Sequence, residues 1–287
     1  MAGYRDFRRL MSRLGLQVVV KSFYSPIPDL ESIPESTWER ESDLAGIHFD
    51  LEQQLGYLDS LAPYLDEFQP PAQANGEPNA YFLENGSYGR VDADVLYATV
   101  RAAKPSRIVE LGSGYTTLVA AEACLANEGE GARVDYVAFD PYPGVVQPGL
   151  PGLTELARVP AEALPPELFG ELGENDLLIV DTTHTVKTGG DVNHVVLDVL
   201  PRLGGGVRVH FHDIFLPSEY PRKWIEDYGL YWAEQYLLQA FLSLNEEFEI
   251  LCALSALARR RPDDLRELIP SWVDGATPGA FWIGRIA

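Results

Sequence analysis

The stretch RIVELGSGYTT, Arg107 to Thr117, decides how the rest of the chain is read. Ile108, Val109 and Leu111 make a short apolar run of the kind that forms a buried strand, and Gly112 and Gly114 follow it at once. Glycines there end the strand in a turn that lets a ligand come close to backbone N–H groups. Outward from this turn, strand and helix signals alternate. Strands are expected at 107–111, 134–139, 154–159, 176–181 and 206–212, and helices from Asp92 to the residues before Pro105, at 116–127 and at 190–200. That alternation predicts a doubly wound α/β fold, a mostly parallel sheet with helices on both faces. An aromatic-rich helix from Tyr228 to about Leu244 then leads to two apolar strands, 247–254 and 279–286, joined by a charged, proline-containing connection.

Upstream, residues 1–84 read as a helical N-terminal cap on a main domain of residues 85–287. Phe7, Leu10, Met11 and Leu14 recur at helical spacing with Arg5, Arg8, Arg9 and Arg13 on other faces, as in a helix docked on its own domain or a sister subunit. A Pro-punctuated piece, FYSPIPDLESIPEST, separates it from a helix near Phe49 to Leu65 and the breaker-rich QPPAQANGEPN. The appended region suits substrate contacts or a homodimer.

Composition narrows the partners. The 287 residues are 46% hydrophobic and 23% charged, the profile of a globular chain with a sizeable core. With 22 Lys+Arg against 43 Asp+Glu the net charge is −21, which repels nucleic acid and anionic lipid, so neither is an expected partner. Cys124 and Cys252 sit among apolar neighbours without a CxxC spacing, as small core residues suited to a reducing cytoplasm. No apolar run approaches the roughly 20 residues that span a bilayer, so a cytoplasmic location is expected.

Two ligand classes use a glycine turn after the first strand of such a sheet, dinucleotides and S-adenosylmethionine. The dinucleotide fingerprint asks for G-x-G-x-x-G, but its third glycine position is Thr117 here. Glu110 lies just before the turn, where it suits a cationic ligand better than a diphosphate. Asp140, at the end of VDYVAFD, is placed to accept the hydroxyls of a ribose.

With VELGSGYTT, VAFDPYP, DLLIVDTTH and GGGVRVHFHDIF in sequence, the chain resembles the class I S-adenosylmethionine-dependent methyltransferases over roughly residues 85 to 287. The resemblance implies a seven-stranded Rossmann-like sheet whose last two strands form an antiparallel hairpin at the edge. It implies that Glu110, Gly112 and Gly114 line the amino-acid part of the cofactor, that Asp140 binds its ribose, and that Ala161 and Glu162 flank the adenine. Ser87 or Tyr88, in ENGSYGRVDAD, would close over it, and Asp92 would N-cap the helix that follows.

The fourth and fifth strands end in Asp181 and in His212–Asp213, so neighbouring strands would bring these carboxylates together in the crevice where open α/β sheets bind ligands. Convergence there suggests a metal or a base. Within the superfamily the pattern looks like the macrocin-type O-methyltransferases, whose Asp-x-x-His element maps onto Asp181 and His184. That resemblance implies a divalent ion held by Asp181, His212 and Asp213, and His184 as general base. His212 departs from the acidic pair of that type and favours zinc, iron or manganese over magnesium. Asp181 has a plainer reading beside ligation: hydrogen-bonding the methionine part of the cofactor, or capping a helix. His210 is expected to be buried, and His48 and His194 to have no chemical role. The function expected is O-methylation of a small sugar-bearing or aromatic acceptor. The alternatives are a metal-free N- or carboxyl-methyltransferase and a cofactor-binding protein without catalysis.

Overall fold

The computed structural model describes residues 2–286. In chain order these form α1 (Ala2–Arg13), α2 (Leu51–Leu65), α3 (Asp92–Ala103), β1 (Arg107–Leu111), α4 (Tyr115–Gly129), β2 (Asp135–Phe139), β3 (Glu155–Ala157), β4 (Leu177–Val180), α5 (Asp191–His194), β5 (Arg208–Phe211), α6 (Arg222–Glu226), α7 (Glu234–Leu242), β6 (Phe248–Ala253), α8 (Leu254–Arg260), α9 (Pro262–Leu268) and β7 (Phe281–Arg285). The strands make one seven-stranded sheet in the order β3-β2-β1-β4-β5-β7-β6, with β7 antiparallel to both β5 and β6. The doubly wound sheet and the antiparallel edge hairpin are as the sequence led one to expect.

β4 is a continuous apolar run, and β1 is one apart from Arg107 and Glu110, because helices cover both faces of the sheet. Tyr136 and Trp282 lie in the core on one face with Leu58 and Leu65 of α2, Leu96 of α3 and Val119 of α4. Val109, Val180, Val196 and Phe211 pack on the other. α2 starts where Asp50 accepts hydrogen bonds from the N–H groups of Glu52 (2.8 Å) and Gln53 (3.3 Å).

Two segments are more structured or more irregular than the sequence suggests. The expected helix at 190–200 is a single α turn, α5, that widens into a π turn over Val195–Val199 and tightens to a 3-10 turn at Leu200–Arg202, where Pro201 supplies no N–H. The charged connection between β6 and β7 folds as α8 and α9.

By its internal contacts the chain divides into two units, one holding the residues before Glu41 with Pro221–Tyr231, the other holding the rest. In the first, Arg222 pairs with Glu35 and with Glu226 (2.9 Å) and lies over the Trp38 ring. No helix of the described residues is long and apolar enough to cross a membrane.

The register of the second unit builds the site. Phe139, Leu111, Val180 and Phe211 form the last paired row across β2, β1, β4 and β5. Asp140, Gly112, Asp181 and His212 each come one residue later, so they stand side by side along the carboxyl edge of the sheet. This is where open parallel sheets bind ligands.

Candidate active site

The glycine turn is held shut on one side and open on the other. Gly112 has φ +93°, and a Cβ there would stand 1.9 Å from the Asp181 carbonyl oxygen. Only glycine meets both demands. Gly114 has φ −175°, an extended backbone, and nothing lies within 4 Å of where its Cβ would be.

The amides of the turn are already engaged. Ser113 donates from its N–H (2.9 Å) and hydroxyl (2.8 Å) to Asp140 Oδ2, and Tyr142 N–H donates to Oδ1 (2.7 Å). The Gly114 N–H donates to Thr117 Oγ1 at 2.9 Å, the residue that replaces the third glycine. A diphosphate binds such a turn through free amides; here the turn presents a carboxylate instead. Beside it opens a cavity of about 570 Å³, lined by Gly112, Asp140, Ala161, Glu162, Asp181 and Lys187 among others. Four of its lining side chains are acidic (Asp140, Glu162, Asp181, Asp191) against one lysine, which suits a cation carrying hydroxyls.

Asp181 belongs to a second group as well. His184 Nε2 is 3.4 Å from Asp181 Oδ1 and 3.7 Å from Asp213 Oδ2, and its Nδ1 is 2.8 Å from Glu234 Oε2. His212 Nδ1 is 3.6 Å from both Asp181 Oδ1 and Asp213 Oδ1, and its Nε2 is 3.8 Å from Asp92 Oδ2. Both imidazoles therefore have carboxylates at each nitrogen, which favours their charged forms. Burial pulls His184 down, but Asp181 and Glu234 overcome it and push it up to about 10. His212 is raised well above its ordinary range in the same way: burial opposes, and Asp213 and Asp181 prevail. Burial alone would lift Asp181, yet His212 and His184 hold it well below the usual carboxylate range. Burial raises Asp213 and Glu234.

Strain surrounds this group. His184 (φ +54°) and Asp213 (φ +56°) sit in the left-handed region, and Val91, just before Asp92, has φ +69° and ψ −55°. The Asp92 N–H donates to the Arg90 carbonyl at 2.8 Å, so Val91 is the centre of a tight three-residue turn that a β-branched residue rarely adopts. Such strain costs on the order of 1–3 kcal/mol per residue and gathers at functional sites.

The description "Methyltransferase domain" fits residues 109–214, the segment from β1 through the cluster to the end of β5. Over that segment the chain is similar to methyltransferase domains. A protein of Archaeoglobus fulgidus, known only as an uncharacterized protein, is 28% identical over 127 residues, which is 42% of this chain and 57% of that relative's length. Two solved structures of CmcI-N160, one apo and one named with SAH, superpose with TM-scores of 0.43 and 0.40. Each is 15% identical and covers 77% of this chain, and the aligned parts are 90% and 98% of those chains. At that level neither bears on what this chain does.

Within this segment, residues 109–214, Gly112, Asp140, Ala161, Glu162 and Asp181 meet at one cavity. Glu110 stays beneath the turn, fully buried, accepting from Thr116 Oγ1 (2.6 Å) and the Tyr136 hydroxyl (2.5 Å), and burial pushes it up to about 7. Tyr88 does not reach the cavity. Its ring packs on His212 at 4.9 Å and its hydroxyl joins the Asp92 carbonyl (3.1 Å) to His210 Nε2 (2.8 Å), because Asn85 and Tyr81 draw its backbone inward. Ser87 is exposed. Asp92 does not cap α3: its oxygens accept from the N–H groups of Gly279 (3.0 Å) and Ala280 (2.9 Å) at the start of β7, and Asp94 accepts from Val91 N–H instead (2.9 Å). His210 is buried and held at about 3 by burial first and then by the charge on His212.

Asp181, His212 and Asp213 do converge, but as carboxylate–imidazole pairs. Among the described residues no group of three or more His, Cys, Asp or Glu side chains is set to hold a metal ion. Glu234 and Trp232, whose ring lies 4.4 Å from that of His184, are the partners sequence reasoning missed. Their signal was faint: one acid in the otherwise uncharged run YWAEQYLLQAF.

Proposed function

We propose that the protein is an S-adenosylmethionine-dependent O-methyltransferase acting on a small acceptor, sugar-bearing or aromatic. The observation that supports this best is the double membership of Asp181, which lines the nucleoside-sized cavity and also lies 3.4 Å from His184 Nε2. A proton acceptor is thereby held beside the place where the cofactor's cationic end would sit.

S-adenosylmethionine supplies a methyl group on a cationic sulfur. In this reading Asp140 accepts from the ribose hydroxyls with the lone pairs left free by Ser113 and Tyr142. Ala161 and Glu162 flank the adenine, and Asp181 faces the positive charge. In its neutral form, the minor one near pH 7 because of the surrounding carboxylates, His184 receives the acceptor's proton at Nε2. The rest of the rate gain comes from holding the acceptor oxygen in line with the methyl group, since positioning supplies most of the effect in such displacements. Among the described residues these donors are not grouped as an ion site, and no step here runs through a metal.

The test is transfer of labelled methyl from S-adenosylmethionine to a panel of small phenols, glycosides, amines and carboxylates. The proposal expects labelled ethers, turnover that survives chelator, and a His184→Ala variant that binds cofactor without turning over. Products methylated only on nitrogen or carboxylate would overturn the acceptor class. Activity abolished by chelator and restored by a divalent ion would replace the metal-free reading with the liganded one.

A further inference from the structure

We infer that Glu234 is a positioning residue that fixes the orientation of His184, an assignment that rests on His184 being the base. Three independent contacts converge on His184 from residues 232–234. The N–H groups of Ala233 (2.9 Å) and Glu234 (3.2 Å) both donate to the His184 carbonyl. The Trp232 ring lies 4.4 Å away at an interplanar angle of 45°. The Glu234 carboxylate accepts from Nδ1 at 2.8 Å. With Nδ1 tied on that side, Nε2 is the nitrogen turned toward Asp181 and Asp213.

The grip explains how the site tolerates its own geometry. His184 lies at φ +54°, a region a non-glycine residue keeps only when its surroundings over-determine it. The start of α7 supplies that determination by holding the residue at both its carbonyl and its ring. Glu234 is fully buried, and its second oxygen, Oε1, has no hydrogen-bond partner. A carboxylate placed for stability alone would satisfy both oxygens or stay in water. One that leaves an oxygen unpaired to reach a single imidazole nitrogen is placed for the imidazole.

The experiment uses the full chain labelled with ¹⁵N-histidine, the His184 signals being those missing from His184→Ala. In the wild type at neutral pH, Nδ1 is expected to show a protonated-type shift. In Glu234→Gln, which keeps the volume and removes the charge, that signature should be lost or exchange-broadened, while S-adenosylmethionine binding by calorimetry changes less than about twofold. Turnover should fall about 10- to 100-fold, the scale on which losing the partner that orients a metal-bound imidazole acts. Should Glu234→Gln fail to fold, Glu234→Asp, with its carboxylate drawn back one methylene, must show the same loss in part. Unchanged His184 signals in a folded Glu234 variant would overturn the inference. Shifted signals together with full turnover by His184→Ala would leave Glu234 as the orienting group and remove His184 from the base role.

Discussion

The glycine turn and the His184 cluster share Asp181, yet they are built in opposite ways. At the turn the decisive hydrogen bonds are local: Gly114 to Thr117 spans 3 positions and Ser113 to Asp140 spans 27. In the cluster, His184 and Glu234 are 50 positions apart, and Asp92 reaches Gly279 across 187. The turn relies on glycine to relieve strain, whereas the cluster carries it on Val91, His184 and Asp213. A carboxylate-bearing turn can be written into one stretch of chain; a cluster of mutually shifted acids and bases is assembled by the whole sheet.

The comparison breaks most visibly at the glycines. Gly112→Ala adds a Cβ into backbone 1.9 Å away at positive φ, so it should cost at least about 3 kcal/mol in denaturant unfolding or fail to fold. Gly114→Ala, facing open space, should stay within about 0.5 kcal/mol in the ligand-free protein and be felt only in cofactor affinity. Equal costs for both would show that the turn is not divided as described.

Asp181→Asn tests the shared residue. Because it removes the anion from both groups, cofactor affinity and turnover should fall together, turnover by about 10²-fold or more if proton transfer is impaired. Loss of one without the other would separate the two groups.

A gentler probe is pH. His184 is raised from 6.5 to about 10, so its contribution to stability is complete below about 6.5 and is lost as pH climbs through about 10. The neutral imidazole needed for base catalysis gains over the same range. Melting temperature should therefore decline while kcat/KM rises on the alkaline side; a rate already flat at pH 7 would speak against His184 as base. Glu110 acts in a different window. Raised from 4.5 to about 7 by burial, it favours the folded state while protonated, and that advantage fades between those values. Glu110→Gln should flatten stability over that interval and leave the alkaline decline in place.

These contrasts also say what was legible in the sequence. β1, the turn, Asp140 and the Asp181–His184 spacing could be read because each is a short run whose periodicity or glycine content has one physical meaning. Tyr88 and Asp92 were readable as a lid and a cap only while tertiary contacts were unknown. Asp92 instead serves β7, and Tyr88 turns inward to His210. Glu234 carried only a faint local signal, since its contact with His184 exists only once α7 meets the loop after β4. The broken helix after Asp191 was hidden for a similar reason: apolar periodicity does not distinguish an α turn from a π turn.

The carboxylate-bearing turn is expected to seat S-adenosylmethionine. Calorimetric titration of the wild type and of Asp140→Ala tests it directly, with S-adenosylmethionine and NAD⁺ as ligands. Saturable binding of the sulfonium compound only is expected, weakened at least about tenfold by the substitution, a difference of about 1.4 kcal/mol. Binding of NAD⁺ in its place, or S-adenosylmethionine affinity indifferent to Asp140, would contradict it.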